Sequence, residues 1–164
     1  MALRDLEYTL TIKIHALRHL ADSLIKKSKS QDALSFGAQC VVADERKGTG
    51  LSIWGKNIRA REVFWLRGAD TMQWKVEEQI LKEEKKAHPK MKIYLFSTTS
   101  RETPSQMNSN PLGYVLIDIR DLQSKEMREA WIRIQGGHAG RAEVQASAAL
   151  TLGPKTAETA DSGD

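Results

Sequence analysis

Leu10, Ile12 and Ile14 alternate with Thr9, Thr11 and Lys13, and the same two-residue period returns in Met91 to Phe96, in Leu112 to Leu122 and in Ala142 to Leu152. That period places apolar side chains on one face of an extended chain, so each of these segments predicts a strand with one buried and one wet face. Strands of this kind need a facing sheet to cover their apolar sides, and the arrangement that covers several of them is a two-sheet sandwich. Leu10, Ile12, Ile14, Ile93, Leu95, Val115 and Ile117 are the expected core.

Shorter runs fill in the rest. Leu34 to Val42, Leu51 to Trp54, Val63 to Leu66, Met72 to Val76 and Trp131 to Ile134 read as further strands, bounded by Gly48, Gly50, Gly55, Gly68 and the Gly136-Gly137 turn. From Glu77 the pattern changes. Ile80 and Leu81 lead into Lys82-Glu83-Glu84-Lys85-Lys86, and Pro89 ends a short helix there because proline conflicts sterically with helical residues before it. The segment after Leu122 is polar and reads as helical, whereas Asp22 to Asp32 and Ser97 to Asn110 read as loops. The result is an all-β antiparallel sandwich of about eight strands with one short helix. It forms one domain over residues 1–152, with residues 153–164 as an acidic, small-residue tail or linker.

Composition agrees with a folded domain: of 164 residues, 40% are hydrophobic and 28% charged. No apolar run approaches the roughly 20 residues that span a bilayer, and the N-terminal residues lack the basic-then-apolar order of a secretion signal, so a cytoplasmic setting is expected. Cys40 lies within an apolar run, as a buried reduced thiol does, and a single cysteine forms neither an intrachain disulfide nor a cysteine-based zinc site. The net charge is +4, and it favours an acidic partner.

Catalytic motifs are missing from the sequence: there is no nucleophile elbow, phosphate loop or paired His-Glu zinc motif, and no cofactor is implied. His15 and His19 are spaced as two metal ligands on a helix, but on a strand they stand about 13 Å apart. His88 and His138 are isolated, and Gly136 to Gly140 is a turn. The Glu77 to Lys86 run is a solvated helix face or a charged docking ridge. Basic residues crowd three expected loops: Lys26, Lys27 and Lys29; Arg46 and Lys47; Lys56, Arg59 and Arg61. Loops of a sandwich gather at its ends, so Lys26, Lys27, Lys29, Lys56, Arg59 and Arg61 form the candidate partner-binding set. These loops lack the interleaved aromatics that stack bases, so nucleic acid is not the expected partner.

The segment Asn110-Pro111-Leu112-Gly113-Tyr114-Val115-Leu116-Ile117-Asp118-Ile119-Arg120-Asp121-Leu122 resembles the late strand of C2 domains. Trp131 begins a strand like the one that follows it, and Val144 to Leu152 is similar to the closing strand. Met72 to Val76 with Met91 to Phe96 resembles the preceding pair, and Tyr8 to Leu20 the first strand. Within the family the likeness is to domains of centriole-assembly proteins. It implies a non-enzymatic, monomeric scaffold or recruitment module at the centrosome, centriole or cilium base, with tubulin, microtubules or other centriolar proteins as partners. The other implied ligand is an anionic phospholipid membrane, bound through the same lysines. Calcium-binding members hold the ion with several aspartates in two loops. Here the first loop has only Asp22 and Asp32, and the stretch after Phe96 has no aspartate and carries Arg101. The resemblance therefore implies a domain that works without calcium.

Overall fold

The computed structural model describes residues 6–21, 35–52, 61–98, 110–137 and 139–154. In chain order these form β1 (Leu6–Arg18), β2 (Ser35–Val42), β3 (Glu45–Gly48), β4 (Val63–Phe64), β5 (Thr71–Glu77), α1 (Glu78–Ala87), β6 (Lys90–Thr98), β7 (Asn110–Asp118), α2 (Ile119–Leu122), β8 (Met127–Arg133) and β9 (Glu143–Pro154).

Two antiparallel sheets result. In the five-stranded sheet β1 pairs with β9, which pairs with β8, while β4 and β5 lie end to end along the other edge of β1. The four-stranded sheet runs β3-β2-β6-β7. Every one of the seven expected core residues is buried between them, with Trp74, Phe36, Leu17 and Met72. Burial alternates with period two along β5, β6 and β9, which is why those strands were legible as strands.

Five expectations need correcting. Arg46 and Lys47 are not on a loop: they lie in β3, which pairs with β2 through Val41↔Arg46 and Cys40↔Lys47. Ala43 and Asp44 both have positive φ (50° and 64°), the geometry of the two-residue turn that joins tightly paired antiparallel strands. Leu51 and Ser52 are not in a strand, and the remaining two residues of that expected strand lie outside the described residues. The late strand stops at Asp118, whose carboxylate accepts the Arg120 backbone N–H at 2.9 Å and so caps the single turn α2. The polar stretch read as helical becomes β8 from Met127, an edge strand whose register slips between Met127 and Ala130. Finally, β1 runs past His15 to Arg18, and β9 runs on to Pro154 opposite Leu6.

The glycine within the segment that carries the family likeness has a steric reason. Gly113 has φ +150°, and a Cβ there would stand 2.4 Å from the Gln135 carbonyl oxygen. The close approach is fixed by reciprocal hydrogen bonds between Tyr114 and Gln135, at 2.9 and 2.8 Å. Replacing Gly113 with alanine adds both a clash against backbone and an unfavourable φ. Its expected cost is about 3 kcal/mol, read as a lower denaturation midpoint in urea, and an unchanged midpoint would contradict the approach described.

Candidate functional site

Of the candidate partner-binding set, Lys26, Lys27, Lys29, Lys56 and Arg59 lie outside the described residues. Arg61 is exposed at φ 61°, and its carbonyl accepts the Leu20 N–H at 3.2 Å. The residues flanking the undescribed stretches are tied together. Ser52 Oγ accepts the Phe36 N–H at 2.9 Å, the Ser35 hydroxyl donates to the Ser52 carbonyl at 3.2 Å, Ser35 pairs with Thr98, and Ser97 pairs with Asn110. The described residues that flank segments 22–34, 53–60 and 99–109 therefore all lie at one end of the sandwich, the end where β1 finishes and β9 begins.

Beside that end, β4 leaves Phe64 and Leu66 open to solvent, at 42% and 63%, flanked in sequence by the exposed Arg61 and Arg67. Val63 and Trp65, which alternate with them, point into the core. The Trp65 indole N–H donates to the Gly50 carbonyl at 2.9 Å. The same alternation that buries one face thus fixes two apolar side chains outward.

The outer face of the four-stranded sheet holds a second cluster, which reading the loops alone could not find. Residues that alternate with the buried Cys40, Ile93 and Val115 form two rows across the strands. One is Arg46, Val41, Lys92 and Leu116; the other is Gln39, Tyr94 and Tyr114. The Lys92 ammonium sits 4.3 Å from the Tyr114 ring centroid and 5.5 Å from that of Tyr94, within cation-π range. The signal was in the sequence: tyrosines at outward positions of strands whose inward positions are aliphatic.

The helix carries its own cations. Leu81 anchors α1, and Lys85 donates to the Gln123 side chain across a groove of about 690 Å³ that Lys82, Lys86, Pro89 and Arg120 also line. Arg120 is held by Asp118 at 2.6 Å, and that contact keeps the Asp118 carboxyl down at about 2.

His15 and Ser147 form the arrangement nearest to a catalytic one. His15 is the extra residue of a bulge in β1; its Nε2 lies 2.9 Å from Ser147 Oγ, and its Nδ1 lies 3.5 Å from Glu129 Oε2. The second distance exceeds hydrogen-bond reach, so the carboxylate does not lock the imidazole as the orienting member of a triad does. The contacts fasten β1, β9 and β8 together on the outer face. His19, at φ 60°, lies 4.0 Å from Glu143, and no cluster of metal-binding side chains occurs among the described residues. Burial pushes the Cys40 thiol up to about 12. Neither nucleophile is activated, so a fluorophosphonate should leave Ser147 unmodified and a disulfide reagent at pH 8 should leave Cys40 unmodified in the native chain. Stoichiometric labelling of either, read by mass spectrometry, would overturn this.

The fold has counterparts among solved structures. The extended synaptotagmin 2 fragment containing its SMP, C2A and C2B domains superposes with a TM-score of 0.55 at 14% identity, over 87% of this chain and 27% of that one. CC2D1B, described as coordinating ESCRT-III activity during mitotic reformation of the nuclear envelope, superposes at 0.56 and 12% identity, over 90% and 55%. A C2 domain-containing protein superposes at 0.54 and 11% identity, over 94% and 93%. The chain thus spans about a quarter and about half of the first two. No family model matches the sequence, and no curated protein matches it. At these identities the likeness concerns architecture: the chain folds as a C2-type β-sandwich.

Proposed function

We propose that this chain is a calcium-independent docking module of a centriolar or ciliary scaffold, acting in the cytoplasm at the centrosome, centriole or cilium base. It is similar in kind to the N-terminal C2 domain of the centrosomal protein of 120 kilodaltons. Its ligand is the acidic surface of tubulin, of microtubules or of another centriolar protein, met by the basic loops. The observation that supports this reading is that the described residues flanking segments 22–34 and 53–60, Arg61 among them, meet at one end of the sandwich. Lys26, Lys27, Lys29, Lys56 and Arg59 all belong to those two segments.

Each lysine near an acidic surface contributes on the order of 1 kcal/mol, by analogy with polybasic segments at anionic membranes, and salt screens it. Changing Lys26, Lys27 and Lys29 together to glutamate should strongly reduce cosedimentation with microtubules. The same change at Lys82, Lys85 and Lys86 should reduce it less, because Glu83 and Glu84 already offset those charges. The opposite ranking would move the docking face to the helix.

The exposed Phe64 and Leu66 beside Arg61 and Arg67 favour a second reading, attachment to an anionic phospholipid bilayer. Cosedimentation with phosphatidylserine liposomes in place of microtubules separates the two. Calcium independence rests on the loop sequences, since Asp22, Asp32 and Arg101 lie outside the described residues. Millimolar calcium should leave Tm unchanged, because an ion bound only by the native state raises it. A clear upward shift would remove that part of the proposal.

A further inference from the structure

We infer that the outer face of the four-stranded sheet is a separate docking site for an extended acidic peptide bearing aromatic or branched aliphatic side chains. The outward face of an antiparallel sheet that meets only water is ordinarily polar. Here Tyr94 is 50% exposed and Val41 47%, with the partly exposed Tyr114 and Leu116 next to them. Four large apolar groups on adjacent strands make a contiguous patch of the kind that marks an interaction surface.

The charges on the face say what covers it. Arg46 and Lys92 stand in one row with Val41 between them, about 10 Å apart by strand spacing. Neither makes an ion pair among the described residues. The one acid on the face, Asp118, is held by Arg120. Lys92 is instead held over the two tyrosine rings, which fixes its ammonium without neutralising it. An extended peptide rises about 3.3 Å per residue and turns every second side chain to the same face, so carboxylates four residues apart, about 13 Å, fall within reach of both long cationic side chains, and the side chain midway between them meets Val41 and Tyr94. A bilayer is the poorer match. Its attraction grows with the number of lysines near it, and here a few cations are spread among apolar groups on a sheet face. Lys92 also lies about 20 Å along β6 from Thr98, at the loop end, so the site is independent of the loops.

The probe is a short fluorescein-labelled peptide of repeating Glu-Ser-Tyr-Ser, which sets glutamate and tyrosine on one face of the extended chain, followed by anisotropy. Saturable binding is expected, weakened about tenfold or more by Arg46→Glu with Lys92→Glu and by Tyr94→Ala. Versions with glutamine in place of glutamate, or with glycine in place of tyrosine, should bind less well, since each removes half of the match. The changed side chains are exposed, so Tm should hold, and amide shifts in the NMR spectrum of the unaltered chain should move at Val41, Arg46, Lys92, Tyr94 and Tyr114 on adding peptide. The glutamate triple change at Lys26, Lys27 and Lys29 should leave peptide binding intact even where it abolishes microtubule binding, which keeps the two sites distinguishable. Absence of binding, shifts confined to other surfaces, or loss with the loop variant instead of the face variants would overturn the assignment. Equally, phosphatidylserine vesicles that bind where the peptide does not, and that the face variants release, would assign the face to lipid and overturn it.

Discussion

The hydrogen bonding of β1 along both edges is the constraint on which the rest of the sandwich depends. β9 pairs with it from Leu6 to Arg18, while β5 and then β4 occupy the opposite edge. Its inward side chains Leu10, Ile12, Ile14 and Leu17 are fully buried. A one-residue slip would turn the whole apolar set outward, so this burial fixes the register of three neighbouring strands at once. The bulge at His15 is the exception that makes the length workable. It shifts the phase, so that Leu17, opposite Val144, faces inward while Ala16, opposite Gln145 and Phe64, is buried on the outer face.

The two sheets are also fastened by polar contacts. The Trp74 indole, buried under β5, donates to the Glu45 carbonyl at 2.8 Å, tying the edge strand β3 to the opposite sheet. Glu45 precedes Arg46, so a core tryptophan helps hold a surface cation in its row. Trp65 does the same for the stretch before segment 53–60 through Gly50. Both indoles satisfy their N–H against backbone carbonyls, which lets two large side chains be buried without an unpaired donor.

Much of this was legible in the sequence, and the failures share a cause. Strands with one buried face announced themselves by period two, and all seven residues named for the core lie in it. β3 was missed because Glu45-Arg46-Lys47-Gly48 is an edge, where charge replaces alternation and the composition is that of a loop. Only the second half of β8, from Trp131, was read as strand; its start at Met127 was missed because its bulge interrupts the period and most of its residues are exposed. α2 was read as strand because its apolar residues continue the run before it, and only the Asp118 cap marks the change. Of the candidate loop residues only Arg61 is among the described residues, and a reading confined to loops passed over the sheet face. Tyr94 and Tyr114 sit at positions counted as the polar side of strands, and their meeting across β6 and β7 depends on a register that one strand alone does not state.

Leu6 pairs with Pro154, so the first and last described strands begin and finish side by side, at the end of the sandwich opposite the one where β1 finishes and β9 begins. Tension applied through those two points would act across the β1–β9 ladder and open its bonds one pair after another, as a zipper opens, since antiparallel hydrogen bonds lie perpendicular to their strands. A sandwich pulled from opposite ends is loaded in shear and resists with many bonds together. This geometry makes the domain a mechanically soft element, ill suited to carrying load along a chain.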